Sequence, residues 1–147
     1  AEGMKVMLCS RRDERLQAIA AQIEADGGTD LVHPADCTQE AEVEALFADA
    51  AQRLGQNDLL VNSTGVPQAT PIVDMKLEEW RRVIDANLTS VFQAGREAMK
   101  RMAPRGRGRI ISIGSVAARS PRVRSAAAAP YTASASPRPP ANSATRL

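Results

Sequence analysis

Residues 58–65, with the sequence DLLVNSTG, decide the fold of this chain, because a short apolar run ends there in small and polar side chains. An apolar run of this length is typical of a buried strand in a parallel sheet. In open parallel sheets, ligands bind just beyond the carboxyl ends of the strands. Asn62, Thr64 and Gly65 end or follow the predicted strand, so they are candidate ligand-binding residues.

Strands and helices alternate on both sides of this stretch. Apolar side chains repeat at helical spacing in three segments, with short apolar runs between them. Glycines are predicted to stop the first two helices, at Gly27 and Gly55. This alternation predicts an α/β fold with a parallel sheet covered by helices on both faces. The predicted strands are residues 5–9, 30–33, 58–62 and 109–113, and the predicted helices cover residues 16–23, 43–54 and 77–102.

The first predicted strand is also followed by polar residues, Ser10, Arg11 and Arg12. Where a dinucleotide-binding fold would place an acid to hold the ribose 2′-hydroxyl, this chain has a hydroxyl and two guanidiniums. Guanidiniums suit a 2′-phosphate instead. A serine that caps the next helix, beside two solvated arginines, is the alternative interpretation.

Asn87 lies within the apolar face of the long predicted helix. An unpaired amide in a buried position would cost about 1–3 kcal/mol, so this side chain is expected to have hydrogen-bond partners. A structural amide bonded to a neighbouring backbone and a functional residue are both compatible with the pattern. The apolar face comprises Trp80, Val83, Ile84, Leu88, Val91 and Phe92.

Several ordered motifs resemble those of the short-chain dehydrogenase/reductase family. Together they extend over about residues 1–134, in the order and approximate spacing of the family. The motifs are SRRDERL at 10–16, Asp36 after the second strand, NSTG at 62–65, DANLT at 85–89, ISIGS at 111–115 and YTAS at 131–134. The resemblance implies a Rossmann-like doubly wound sheet and NAD(P)-dependent oxidation of an alcohol or reduction of a ketone. It also implies a small-molecule substrate and a homo-oligomer in the intact family member.

The resemblance assigns three catalytic residues. Ser115 would hydrogen-bond the substrate oxygen, Tyr131 would act as general acid and base, and Asn87 would support a water-linked proton path. A tyrosine delivers a proton to an alkoxide only if its pKa of about 10 is lowered. In the family, a lysine four residues after the tyrosine supplies the required positive charge, but this chain has Ala135 there.

The resemblance also assigns the cofactor-binding residues. Asp36 would contact the adenine with Cys37 beside it, and the loop at residues 62–65 would pack beside the cofactor. Ser10 and Arg11 favour NADP over NAD.

Further departures from the family predict an incomplete protein. The glycine-rich turn after the family's first strand is absent, and the family pattern is lost after about residue 134, where the C-terminal strands would follow. The NSTG motif also replaces the family's usual Asn-Asn-Ala-Gly. The spacing from Ser115 to Tyr131, 131 − 115 = 16 residues, is a few residues longer than usual. We therefore expect a truncated or frameshifted fragment with no dehydrogenase activity of its own.

The missing first strand belongs in the middle of a doubly wound sheet, between the strands here predicted at 5–9 and 58–62. The two remaining strand pairs should therefore either separate or close the gap. In either arrangement the helices over the centre lose partners and expose apolar side chains. A non-catalytic Rossmann-like fragment that persists by association with another chain is the alternative function.

Charge is distributed unevenly along the chain. Residues 1–97 hold 9 basic and 17 acidic side chains, whereas residues 98–147 hold 10 basic and no acidic ones. A basic tail is one feature of nucleic-acid-binding proteins, but this tail has one tyrosine and no RNA-binding signature, so nucleic-acid binding is not favoured. We predict a partial NAD(P)-binding domain at residues 1–119 and a disordered tail rich in alanine, serine, proline and arginine at 120–147.

The cysteine and hydropathy patterns limit the classes of protein to which the chain could belong. Cys9 and Cys37 lack CxxC spacing, and one histidine cannot build a His-rich site, so neither a disulfide framework nor a metal site is expected. No apolar run approaches the roughly 20 residues that span a bilayer. The first residues do not form a secretory signal, which favours the cytoplasm.

Overall fold

The structure is a computed structural model that describes residues 3–115. The described residues up to Gly114 form one compact unit, and Ser115 belongs to a second one. The boundary expected at residues 119–120 and the tail expected to be disordered lie outside the described residues. No helix in the described part of the chain is both long and apolar enough to cross a membrane.

Strands and helices alternate as the sequence predicts. Gly27 and Gly55, which follow the first two helices, have positive φ angles of 75° and 88°, a conformation that glycine adopts without a steric penalty. The elements are β1 (Lys5–Ser10), α1 (Asp13–Ala25), β2 (Thr29–Pro34), α2 (Glu40–Leu54), β3 (Leu59–Asn62), α3 (Leu77–Ile84), a π-turn (Asp85–Thr89), α4 (Ser90–Met102), a 3₁₀ turn (Ala103–Arg105) and β4 (Arg109–Ser112).

The strands of residues 3–115 form two separate parallel pairs. β1 pairs with β2, with Cys9 opposite His33. β3 pairs with β4, with Asn62 opposite Ser112. The described part has no ladder between β1 and β3, so of the two predicted outcomes the pairs separate rather than close the gap.

Helices α2 and α4 hold the two strand pairs in one unit. Val43, only 1% exposed, lies at the centre of their contact. Cysteine and large apolar side chains from both strand pairs pack against the same cluster. The buried cluster is Val43, Leu46, Phe47, Ala94, Ala98 and Met102, with Met7, Cys9, Cys37 and Leu60 packed against it.

The long helix differs from the prediction in two respects. Its middle turn is a π-turn, the wider i→i+5 form that periodicity does not reveal. Its buried face combines the small residues Ser90, Ala94 and Ala98 with Gln93, Glu97 and Met102, and Ala94, Ala98 and Met102 pack in the cluster shared with α2. The predicted apolar face does not pack on the core, since Trp80 and Phe92, among others, are exposed.

Apolar side chains of the strands are also left uncovered. Val61 on β3 is 51% exposed, and Ile110 and Ile111 on β4 are exposed as well. This is the exposure expected for strands whose sheet lacks a neighbour in the described residues.

Candidate functional site

The carboxyl end of β1 places Ser10 and Arg11 at the edge of the first strand pair. The Ser10 hydroxyl accepts a hydrogen bond from the backbone N–H of Arg12 at 3.3 Å, which fixes the turn into α1. Arg12, not Ser10, is the N-cap residue of α1. The alternative of a helix-capping serine is therefore wrong.

Arg11 and Asp36 meet across the ends of β1 and β2. The guanidinium Nη1 lies 3.8 Å from Asp36 Oδ2, and the arginine side chain is 65% exposed. An exposed ion pair of this kind contributes little to stability, at most about 1 kcal/mol. Arg11 therefore remains accessible to a ligand.

Asp36 is held by the turn that follows β2. Its Oδ1 accepts bonds from the backbone N–H of Thr38 at 2.9 Å and from the Thr38 hydroxyl at 2.8 Å. These bonds, led by the backbone one and assisted by the nearby Arg11 charge, lower the pKa of the Asp36 carboxyl below its ordinary value. Asp36 is thus a fixed, ionised acceptor at neutral pH.

Cys37 lies next to Asp36 and faces β1. Its Sγ is 3.7 Å from the Sγ of Cys9, and both thiols are free and half-buried. The sequence pattern does not reveal this proximity, because the two residues are 28 positions apart.

The carboxyl end of β3 supplies the third part of the site. Asn62 is 7% exposed, and its Nδ2 lies 3.4 Å from the Ser112 hydroxyl on β4. Thr64 and Gly65 follow it in an exposed loop. The strand end is therefore anchored, while the loop beyond it is open to solvent.

Asn87 braces this loop from the π-turn. Its Oδ1 accepts a bond from the backbone N–H of Val66 at 2.7 Å, and its Nδ2 donates to the Val66 carbonyl at 3.0 Å. The expectation of hydrogen-bond partners is confirmed, but the expectation of a buried position is wrong because Asn87 is exposed. A Cβ added at Gly65 would lie 3.4 Å from Asn87 Oδ1, so the loop passes close to the amide.

A shallow cavity of about 410 Å³ lies beside these strand ends. Three guanidiniums and two carboxylates line it, so its charged groups have a net positive balance. Arg81 and Arg82 were not among the predicted site residues, although the run EEWRR at 78–82 marks them as charged. The lining residues are Arg11, Thr38, Val66, Glu78, Arg81, Arg82, Asp85 and Ala86.

The pairing of the predicted catalytic residues Ser115 and Tyr131 lies outside the described residues. Ser115 belongs to the second unit, and Tyr131 lies outside the described residues. Their pairing, and that of Asn87 with them, stays a prediction. Among residues 3–115, no group of three or more histidine, cysteine or acidic side chains is arranged to hold a metal ion.

Two enzymes illustrate the relatives that share the sequence. The chain is 41% identical over 119 residues to (5R,7aS)-5-hydroxy-7a-methyl-1-oxo-2,3,5,6,7,7a-hexahydro-1H-indene-carboxyl-CoA reductase of Mycobacterium tuberculosis, a match that covers 79% of this chain and 45% of that enzyme. It is 37% identical over 118 residues to 3-oxoacyl-[acyl-carrier-protein] reductase of Synechocystis, covering 80% of this chain and 48% of that enzyme. The chain thus spans about half the length of these relatives.

Solved structures share the fold. A crystal structure of an actinorhodin polyketide ketoreductase variant with NADPH matches with a TM-score of 0.77 and 31% identity, covering 80% of this chain and 46% of that one. A gluconate dehydrogenase-like protein from Agrobacterium tumefaciens matches with a TM-score of 0.74 and 34% identity, over 79% of this chain and 46% of that one. The incomplete α/β Rossmann-like fold expected from the sequence is confirmed.

The sequence profile of a family described as short chain dehydrogenase matches residues 1–136, which is most of the chain. Together with the parallel strand pairs and the shared fold, this match shows that the chain belongs to the short-chain dehydrogenase/reductase family of oxidoreductases.

Proposed function

We propose that the carboxyl ends of β1, β2 and β3 bind the adenosine end of NADP(H) in a short-chain oxidoreductase that acts on an alcohol or a ketone. The observation that carries this proposal is the Arg11–Asp36 pair, 3.8 Å apart at the edge of a cationic cavity. When bound, the cofactor would supply the hydride acceptor or donor. This chain's own residues would hold its adenosine end.

The side chains at the site fit such a ligand. Asp36 is a fixed anionic acceptor, which suits the exocyclic amino group of adenine. Arg11 is an exposed fork of donors, which suits a phosphate. The two side chains lie at neighbouring strand ends, so one molecule of adenosine 2′-phosphate could contact Asp36 through its adenine and Arg11 through its phosphate.

Preference for NADP over NAD follows from the charge near Arg11. A 2′-phosphate gains charge-assisted hydrogen bonds from a guanidinium, whereas a 2′-hydroxyl gains much weaker ones. Arg81 and Arg82 add positive potential to the same cavity, partly offset by Glu78 and Asp85. The Asp36 carboxylate beside Arg11 offsets the remaining positive charge, so the preference rests on the exposed guanidinium fork of Arg11 itself.

Calorimetric titration with two cofactor fragments tests the proposal. Adenosine 2′,5′-bisphosphate carries the distinguishing phosphate, and adenosine 5′-phosphate lacks it. We expect the bisphosphate to bind at least about tenfold more tightly, a difference of about 1.4 kcal/mol. Arg11→Ala should remove most of that difference, and Arg11→Asp should reverse it.

Arg15→Ala is the matched control, since Arg15 is an exposed arginine one helical turn further along. It removes the same charge and should keep the preference. Equal affinities for the two fragments, or an unchanged ratio in Arg11→Ala, would contradict the proposal.

We further propose that Ser115 and Tyr131 supply the substrate contact and the proton transfer in the intact family member. The motif resemblance supports these two roles. For Asn87 the bonds to Val66 favour a bracing role for the cofactor loop over direct proton transfer. The 147-residue chain alone is expected to be inactive, because its sequence lacks the glycine-rich turn that would hold the cofactor phosphates, and Ala135 leaves Tyr131 without a neighbouring cation.

A second candidate function is a non-catalytic Rossmann-like unit held by association with another chain. The exposure of Val61, Ile110 and Ile111 on the strands favours it, since uncovered strands pair with other chains. Size-exclusion chromatography over a dilution series should show oligomers, and Val61→Lys should shift them towards a monomer. A monodisperse monomer at all concentrations would exclude this candidate.

A further inference from the structure

The two cysteines of the chain meet at the strand ends although the sequence separates them by 28 residues. Cys9 lies on β1, opposite His33 in the register with β2. Cys37 lies in the turn that follows β2, and its Sγ is 3.7 Å from that of Cys9. In an unfolded chain these thiols would meet rarely, so the fold raises their effective concentration.

The surroundings of the two thiols make them unequal. A hydrogen bond joins the two thiols, and either sulfur could donate it. With Cys9 as the donor, this bond lowers the pKa of Cys37 against the opposing effects of burial and of the Asp36 and Glu42 charges. The same bond, together with burial, raises the pKa of Cys9. A thiolate is the nucleophile in disulfide exchange, so Cys37 is the attacking residue and Cys9 the resolving one.

We propose that Cys9 and Cys37 form a redox-active dithiol that closes to an intramolecular disulfide when the chain meets a small disulfide such as oxidised glutathione. The Cys37 thiolate attacks one glutathione sulfur, so a Cys37–glutathione bond forms, the glutathione S–S bond breaks, and one glutathione leaves. Cys9 then loses its proton and attacks the Cys37 sulfur, which releases the second glutathione. The cysteines lose two electrons, and the oxidised glutathione gains them to become two thiols.

Disulfide formation would change the neighbouring site. The sulfur atoms must approach from 3.7 Å to about 2.05 Å, which draws the turn that carries Cys37 towards β1. Asp36 precedes Cys37 directly, and its carboxylate bonds the backbone of Thr38 in the same turn. Oxidation should therefore displace Asp36 and weaken adenosine binding, a consequence that rests on the proposed function.

Glutathione buffers of graded ratio test the disulfide itself. The full chain is equilibrated in each buffer, quenched with acid, alkylated with N-ethylmaleimide and analysed by mass spectrometry. We measure the ratio of reduced to oxidised glutathione at which half of the cysteine pair is a disulfide. This ratio should be at least about tenfold higher for the folded chain than for the chain unfolded in guanidinium. Oxidation no easier in the folded chain than in guanidinium, or dimers linked by disulfides, would overturn the proposal.

Single variants and an early acid quench test the order of attack. With Cys9→Ser, the remaining Cys37 should accumulate a stable mixed disulfide with glutathione. With Cys37→Ser, the remaining Cys9 loses the bond that raises its pKa, so the order of attack is measured in the natural chain, where an early acid quench should trap glutathione on Cys37. Glutathione trapped first on Cys9 would overturn the assignment of Cys37 as the attacking thiol.

The effect on binding needs a separate measurement. The affinity for adenosine 2′,5′-bisphosphate is compared between the reduced and oxidised chains, with Cys9→Ser as a control that cannot close. Weaker bisphosphate binding in the oxidised natural chain alone supports the coupling between the disulfide and the adenosine site. Equal affinity of the reduced and oxidised chains overturns this coupling but not the proposal that the disulfide forms. A reduced chain that binds no bisphosphate overturns the proposed function, but the thiol measurements still decide the disulfide.

Discussion

Replacing Asn87 by alanine is expected to release the loop that follows β3. The substitution removes two hydrogen bonds to one residue, the 2.7 Å bond from the Val66 N–H and the 3.0 Å bond to the Val66 carbonyl. These bonds join the π-turn of the long helix to the loop at residues 62–66. Few other contacts of comparable strength are expected in so exposed a segment.

The size of the effect follows from the two bonds. Each is worth about 0.5–1.5 kcal/mol net, which gives about 1–3 kcal/mol for the pair. Because Asn87 is exposed and water replaces the lost partners, we expect the lower end, about 1 kcal/mol. That free energy corresponds to about a fivefold increase in the local opening of the loop.

Hydrogen exchange of the Val66 amide measures this opening directly. In Asn87→Ala the Val66 amide should exchange about fivefold faster, while amides in α2 keep their rates. Thr89→Ala is the control, because it removes a hydroxyl of the same π-turn that bonds Asp85 rather than the loop. An unchanged Val66 rate, or an equal acceleration throughout the unit, would refute the bracing role.

Three other predictions concern stability and activity. Glu97 is 3% exposed, and its bonds to Lys100 and Arg101 lower the pKa of its carboxyl, so its stabilising contribution should be present above pH 4.5 and disappear as the pH falls through the lowered folded-state pKa. The difference in urea midpoint between the natural chain and Glu97→Gln should therefore shrink in acid, and a pH-independent difference would contradict this. Met102→Ala, in the contact between α2 and α4, should lower the free energy of unfolding by about 2–5 kcal/mol, and a loss below about 1 kcal/mol in urea titration would show that the cluster is loosely packed. The 147-residue chain should show no turnover with NADPH and a panel of ketones, and Ala135→Lys alone should not restore it; turnover above background in either protein would contradict the expected inactivity.

The strands, the helices and the helix ends could be predicted from the sequence because they depend on local chemistry. The apolar run at residues 58–62 and the glycines after α1 and α2 act within a few residues, so their effect can be read directly. The polar strand ends were predicted for the same reason. Ser10, Asp36 and Asn62 each come at or just after a recognisable apolar run.

Contacts between distant segments could not be predicted in this way. Periodicity reveals an apolar face on the long helix, but not that a different face, with Ala94, Ala98 and Met102, packs on α2. It also could not reveal the π-turn or the approach of Cys9 to Cys37, because both depend on tertiary packing. The sequence does not single out Arg81 and Arg82 as site residues, because a charged helix face is usually only solvated.

Mapping fragment binding by hydrogen exchange tests the central claim most directly. Backbone amides of the full chain are followed with increasing adenosine 2′,5′-bisphosphate and, separately, adenosine 5′-phosphate. The account predicts protection confined to residues 11–12, 36–38 and 62–66 and to the cavity-lining residues at 78–86, reached at concentrations at least about tenfold lower with the bisphosphate. Protection elsewhere, or equal protection by both fragments, would contradict the assignment of these strand ends to the adenosine end of an NADP(H) site.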